Sequence, residues 1–109
     1  MKFAVVIVTY NRKELLKECI HSVLTQLVPI QQVIIVDNAS TDGTETILAE
    51  YKEDSRFVIE REKENRGGAY GFYKGLKVAQ QYDWDWVTII DDDAILDINF
   101  IKGIILSAV

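Results

Sequence analysis

One cysteine, one proline and one histidine are all that this chain of 109 residues contains of those types. With Cys19 alone, there is no intrachain disulfide and no Cys-rich zinc site. His21 falls on a predicted helix with no acidic or nucleophilic neighbour at catalytic spacing, so it is left out of any site. Pro29 and the scattered glycines make no Pro/Gly-rich linker, and there is neither an internal repeat nor a low-complexity segment. Basic residues are in the minority: 12 Lys and Arg stand against 17 Asp and Glu, a formal charge of −5. That argues against nonspecific nucleic-acid binding, which needs a basic face. A phosphorylated ligand stays compatible with the charge, provided a metal ion lies between phosphate and carboxylate. No apolar run approaches the roughly 20 residues that span a bilayer. The apolar start, Met1 to Val8, is short, lacks a signal-cleavage pattern and runs into Thr9-Tyr10-Asn11-Arg12. A cytoplasmic location is the expectation.

What is present is a folded profile. Apolar residues make up 49% and charged residues 27%, enough for one small domain. Phe3 to Thr9 and Val33 to Asp37 are continuous Val/Ile-rich runs, as in strands buried on both faces. Arg56 to Arg61 alternates and suits a less buried third strand, and Trp84 to Ile90 reads as a fourth. Between them lie helical patterns. Leu15, Leu16, Cys19, Ile20, Val23, Leu24 and Leu27 form one stripe. A second helix runs from Asp42 to about Tyr51. A third opens at Gly67-Gly68, with Ala69, Phe72, Tyr73, Leu76 and Ala79 expected on its inner side. Asn11 with Glu14, and Asp42 with Glu45, read as capping boxes. Trp84 and Trp86 read as packing residues, and Cys19 as core. The alternation predicts an α/β fold: an open, mainly parallel sheet with helices on both faces. Residues 98–109 are strongly apolar and stop without a capping signal. They either pack on this domain or begin a further part, and a C-terminally truncated chain is the favoured reading.

The chemistry gathers at strand ends. Val87-Thr88-Ile89-Ile90 runs abruptly into Asp91-Asp92-Asp93. Three adjacent carboxylates repel one another unless they are well solvated or face a cation, and their oxygens suit Mg²⁺ or Mn²⁺. On an extended backbone Asp91 and Asp93 share one side and Asp92 takes the other. The competing reading is a solvated acidic turn. Two further strands also end in polar groups, at Thr9-Tyr10-Asn11 and Asp37-Asn38, which describes a ligand site at the carboxyl edge of an α/β sheet. Asp37 can accept from an N–H on a base edge, and Asn38 can donate and accept, although both also serve ordinary turns. Tyr10 can stack on a base, and Asn11 can be simply a helix cap. Glu64-Asn65-Arg66-Gly67-Gly68 sets a cation and two glycines at a helix start, where backbone N–H groups favour an anion. Arg66 could add a charge-assisted contact to phosphate.

These segments together resemble the family 2 glycosyltransferases of GT-A fold. Val6 to Arg12, Ile35 to Thr44, Glu64 to Gly68 and Ile90 to Ala94 carry the resemblance, in the family's order and over nearly the whole chain. The acidic triplet is similar to the branch that includes galactofuranosyl- and rhamnosyltransferases. The resemblance implies a Rossmann-like, nucleotide-sugar-binding half spanning residues 1–109. It also implies inverting, metal-dependent transfer from a UDP- or dTDP-sugar to an acceptor hydroxyl on a carbohydrate or lipid-linked molecule. Thr9, Tyr10, Asn11, Asp37, Asn38, Arg66, Gly67, Asp91 and Asp92 would bind the nucleotide sugar. Asp93, with Asp91, would hold Mg²⁺ or Mn²⁺ in a DXD motif. The catalytic base is expected beyond Val109, so the chain would bind donor without transferring it. A homo-oligomer, and peripheral association of the full-length protein with the inner membrane face, are further expectations.

Rival readings stay open at this point. A phosphatase of the haloacid dehalogenase type uses Asp-x-Asp with the first Asp as nucleophile, here Asp91 with Asp93. That motif opens its domain and carries Thr or Val where this chain has Ile95. A sugar nucleotidyltransferase would place a glycine-rich basic loop where Thr9-Tyr10-Asn11-Arg12 stands, and a dinucleotide-binding domain would place Gly-x-Gly-x-x-Gly there. A non-catalytic sugar-nucleotide-binding module is the non-enzyme alternative.

Overall fold

The computed structural model describes residues 2–108. The elements are β1 (Phe3–Thr9), α1 (Lys13–Leu24), β2 (Gln32–Asp37), α2 (Thr44–Ala49), β3 (Phe57–Arg61), α3 (Gly68–Ala79), β4 (Trp86–Asp91) and α4 (Phe100–Ala108). All strand pairs are parallel, in the order β3-β2-β1-β4. The expected α/β architecture is therefore the one that forms.

Strand position explains strand composition. β1 and β2 are central, and nearly every residue in them is buried, which favours apolar side chains and confines the polar ones, Thr9, Gln32 and Asp37, to the strand ends. β3 and β4 are edges. β3 is half-buried, and in β4 only Ile90 is buried. Trp86 and Ile89 are 43% and 49% exposed, so Trp86 packs less than its size suggested. Trp84 packs against the α3 side of the sheet.

Two cores flank the sheet. On one face Phe3, Val5, Ile7, Val33, Ile35 and Ile90 meet Leu16, Cys19, Ile20 and Val23 of α1, Leu48 of α2 and Ile101 of α4. On the other, Val6 and Ile34 meet Val78 and Ala79 of α3. Helices thus cover both faces, three against one.

The inner face of α3 differs from the expectation. Gly71, Gly75, Val78 and Ala79 are buried there, whereas Ala69, Tyr73 and Leu76 are exposed. The cause is close approach. A Cβ on Gly71 would stand 2.5 Å from Val8 Cγ1, and one on Gly75 would collide with Val6. The helix backbone lies on the sheet, so Tyr73 and Leu76 turn outward while Phe72 packs at the edge of the second core.

The apolar stretch near the end packs on this domain. Ile101 is fully buried, and Phe100, Ile104 and Ile105 join the first core. Two buried polar side chains of the α1 segment fasten the chain leading into α4. Ser22 Oγ accepts the Leu96 N–H (3.0 Å), Gln26 Oε1 accepts the Ile101 N–H (3.1 Å), and Gln26 Nε2 donates to the Asp97 carbonyl (2.7 Å). Met1 and Val109 lie outside the described residues. Among the described residues no helix is long and apolar enough to cross a membrane.

Candidate functional site

The carboxyl ends of β1, β2 and β4 lie along one edge of the sheet. α1, which follows β1, lies on one face, and α3, which leads into β4, on the other. Helices that part in this way leave a crevice at the strand ends, the usual ligand position in an open α/β sheet. A cleft of about 320 Å³ opens there. Val8, Thr9, Tyr10 and Arg12 line it from the end of β1, and Asn38 from the end of β2. Asn65, Gly67, Gly68 and Phe72 form the α3 wall, with Asp91 and Asp92 on the β4 side.

Six of the residues expected in the site therefore meet in one cleft: Thr9, Tyr10, Asn38, Gly67, Asp91 and Asp92. Thr9 is buried and donates its hydroxyl to Asp92 Oδ2 at 3.0 Å. Asn38 is buried and donates from Nδ2 to the Gly67 carbonyl at 3.1 Å, while its Oδ1 has no partner. Asn65 Oδ1 accepts the Gly67 N–H at 2.8 Å, fixing the turn into α3, and Gly67 takes φ +90°.

Four expected residues stand elsewhere. Asp37 is fully buried, but it lines a separate, larger hollow of about 400 Å³ with Glu45, Lys52 and Arg61 over an apolar floor of Leu48, Phe57 and Ile59. Its carboxylate accepts from the Ser40 N–H (3.0 Å) and from Arg61 Nη1 (3.0 Å). Both of its oxygens thus have a partner inside the fold, while the smaller cleft is the one that holds the acidic strand end. Arg66 pairs with Glu64 at 3.0 Å and lies over the Tyr70 ring, outside the cleft lining.

Asn11 is neither in the cleft nor a cap. It adopts φ +50°, and its side chain bridges to Thr41, accepting the Thr41 N–H at 2.7 Å, while its own N–H donates to Ser40 Oγ. The first helical N–H of α1, on Lys13, is satisfied by Asp42 Oδ2 at 3.1 Å. The turns after β1 and β2 are thus tied to each other, and neither expected capping box closes. Glu45 pairs with Arg61, and Thr44 rather than Glu45 binds Asp42. The Thr44 hydroxyl bond, followed by backbone N–H bonds, holds the Asp42 carboxyl below the usual range.

Asp93 is the fourth: it stands beside the cleft lining rather than in it. β4 ends at Asp91, and a turn closed by the Ala94 N–H to the Asp91 carbonyl follows. Alternation therefore stops one residue into the triplet. Asp92 is buried toward Thr9, Asp93 is half-exposed, and Arg12 Nη1 reaches both, at 3.3 and 3.5 Å. Arg12 and Asn65 are the polar side chains of the cleft that sequence reasoning passed over, although both lie within the motifs it used.

Beneath the triplet, Cys19 Sγ donates to the Asp91 carbonyl at 3.6 Å. Burial, with help from the charges of Asp92 and Asp93, pushes its thiol up to about 12. It is an inert core thiol.

Among the described residues no three His, Cys, Asp or Glu groups gather into a metal cage. A hard divalent ion does not require one, because Mg²⁺ is held by one or two carboxylates together with phosphate oxygens and water. The exposed oxygens of Asp91 and Asp93 fit an ion that arrives with a phosphorylated ligand.

Comparison with known proteins bears on what this cleft serves. The sequence is 37% identical over 91 residues to TuaG of Bacillus subtilis, a glycosyltransferase named for teichuronic acid biosynthesis, covering 83% of this chain and 35% of that protein. It is 35% identical over 89 residues to the poly-beta-1,6-N-acetyl-D-glucosamine synthase of Staphylococcus epidermidis, covering 78% of this chain and 21% of that one. The chain thus spans about a third or less of the length of these relatives. Among solved structures, S. aureus TarS in complex with UDP-GlcNAc matches 97% of this chain and 30% of its own, with a TM-score of 0.83 at 27% identity. The mannosyltransferase PcManGT from Pyrobaculum calidifontis, in complex with GDP-Man and Mn²⁺, matches 95% of this chain and 31% of its own, with a TM-score of 0.77 at 28% identity. These neighbours share the GT-A fold. The sequence model of glycosyl transferase family 2 matches residues 4–108, and the chain belongs to that family.

Proposed function

We propose that the cleft binds a UDP- or dTDP-sugar, and that residues 1–109 are the nucleotide-sugar-binding part of a glycosyltransferase. The whole protein would transfer the sugar to an acceptor hydroxyl with inversion, using Mg²⁺ or Mn²⁺. The observation that carries this reading is the convergence of Thr9, Asn38, Gly67, Asp91 and Asp92, from three strand ends and one helix start, on a single cleft. Similarity to TarS, solved with UDP-GlcNAc, supports the donor class. Family membership sets aside the phosphatase reading.

The residues suit such a donor part by part. Tyr10 is half-exposed and offers a ring for stacking. Asn38 Oδ1, buried without a donor, suits an N–H on a base edge. The first turn of α3, from Gly68 onward, presents backbone N–H groups, which favour phosphate. Asp91 can accept from a ribose or sugar hydroxyl, and Asp93 can hold the cation. That cation, when bound, would act as Lewis acid toward the departing nucleoside diphosphate.

The base that takes the acceptor proton falls outside this reading of residues 1–109. The acceptor would be a carbohydrate or a lipid-linked molecule, and a lipid-linked one would draw the full-length protein to the inner membrane face. A homo-oligomer, joined through the exposed β4 edge, belongs to the same proposal.

Calorimetric titration of UDP- and dTDP-sugars with and without Mn²⁺ tests it. Binding should require Mn²⁺ and weaken at least tenfold in Asp93→Ala. Equally tight binding in EDTA would overturn the metal requirement, and absence of binding under all conditions would overturn the donor reading. A non-catalytic binding module would give the same titration with no sugar transfer by the whole protein.

A further inference from the structure

Arg12 has no role in the reading above, yet it is the one cation among the described residues lining the cleft. Its Nη1 stands 3.3 Å from Asp92 Oδ1 and 3.5 Å from Asp93 Oδ2. Both contacts are long, and the side chain is 51% exposed. Exposed pairs of this kind are weak and readily exchanged. Nε and Nη2 carry no hydrogen bond among the described residues, so most of the guanidinium fork is free. That planar fork matches phosphate oxygens two at a time.

The charges sharpen the point. Three carboxylates against one guanidinium leave the strand end at −2, and a nucleoside diphosphate arriving alone would be repelled. A divalent ion taking Asp93 competes for the oxygen that Arg12 holds. We propose that Arg12 is an exchangeable cation: it holds Asp92 and Asp93 in the empty cleft, yields Asp93 to the divalent ion, and turns its guanidinium to the diphosphate. The inference rests on the donor reading, and it adds a residue that both gates the metal and grips the ligand.

The two halves of that role predict opposite shifts. In Arg12→Gln, Mn²⁺ alone, followed by the EPR signal of the free ion, should bind about two- to fivefold tighter, the range an exposed pair supports. UDP in saturating Mn²⁺ should bind about fivefold weaker or more. Arg12→Lys keeps the charge and should hold Mn²⁺ affinity near wild type while recovering part of the UDP affinity. A residue that merely stabilised the fold would weaken both affinities together and lower Tm. Any result in which the two affinities of Arg12→Gln do not move in opposite directions overturns the inference. If the wild-type chain binds no UDP at all, the donor reading falls and takes this inference with it. If it binds UDP but Mn²⁺ affinity ignores Arg12, this inference falls alone.

Discussion

Thr9 and Asp92 join the ends of two neighbouring strands through one buried hydrogen bond of 3.0 Å. Asp92 is 6% exposed and Thr9 1%, so neither group can turn to bulk water for a replacement. Thr9→Val keeps the shape and removes the donor, leaving Asp92 with Arg12 alone. Urea unfolding should show a loss of about 1–2 kcal/mol, the penalty for a buried acceptor deprived of one partner. Thr9→Ser, which restores the hydroxyl, should recover most of it.

Arg61 answers for another buried carboxylate. Asp37 is fully buried, and Arg61 Nη1 is the cation against it, with Nη2 donating to the Ser40 carbonyl at 2.9 Å. Breaking a buried pair from one side removes about 3–5 kcal/mol when the charge is wholly stranded. Here Asp37 keeps the Ser40 N–H, and Arg61 is 43% exposed, so water can partly substitute. Arg61→Met should therefore destabilise by about 2 kcal/mol in urea, with little change in affinity for a ligand of the smaller cleft.

Gly75→Ala sets two effects against each other. Alanine in a helix interior gains up to about 1 kcal/mol in propensity over glycine. The added methyl would collide with Val6 in the sheet, and overpacking of this kind destabilises by about 1–3 kcal/mol. Packing should win, and thermal melting should show a lower Tm. Gly68, where an added Cβ meets nothing within 4 Å, is the control: Gly68→Ala should leave Tm unchanged or raise it.

The Cys19 thiol gives a pH signature. Folding raises it from about 9 to about 12, so its contribution to stability is complete below pH 9. Above that, the unfolded chain gives up the proton while the folded chain keeps it. Stability then falls as pH climbs from about 9 to about 12, by at most about 1.4 kcal/mol per pH unit. Burial also raises the Tyr51 phenol, which adds to the same slope. Cys19→Ala should flatten the alkaline arm of a urea-stability profile without abolishing it.

How far the sequence could be read depends on which force sets each position. β1 and β2 were legible because full burial on two faces demands apolar residues throughout, and Val/Ile runs say so directly. The strand-end polar groups were legible for the complementary reason: Thr9, Asn38 and Asp91 break apolar runs at the same end of three strands. The inner face of α3 was not legible. Periodicity weighs side-chain bulk, and Gly71 and Gly75 work by having none. Asn11 was read as a cap from its neighbours in sequence, but its partners Ser40 and Thr41 come from the next turn, which no local pattern records. The triplet was legible in its burial, with Asp91 and Asp93 exposed and Asp92 buried, but not in its backbone. Alternation holds only while the backbone stays extended, and β4 gives way to a turn after Asp91. Arg12 was in plain view, yet a lone arginine acquires meaning only when Asp92 and Asp93 fold back beside it.

At Gly71 nothing bulkier than a hydrogen atom separates α3 from Val8, whose side chain also lines the cleft. Floor and back wall are consequently in direct contact, with no room for a side chain between them. The rim has more room to adjust to a guest, because the Tyr10 ring and the Arg12 side chain there are half-exposed.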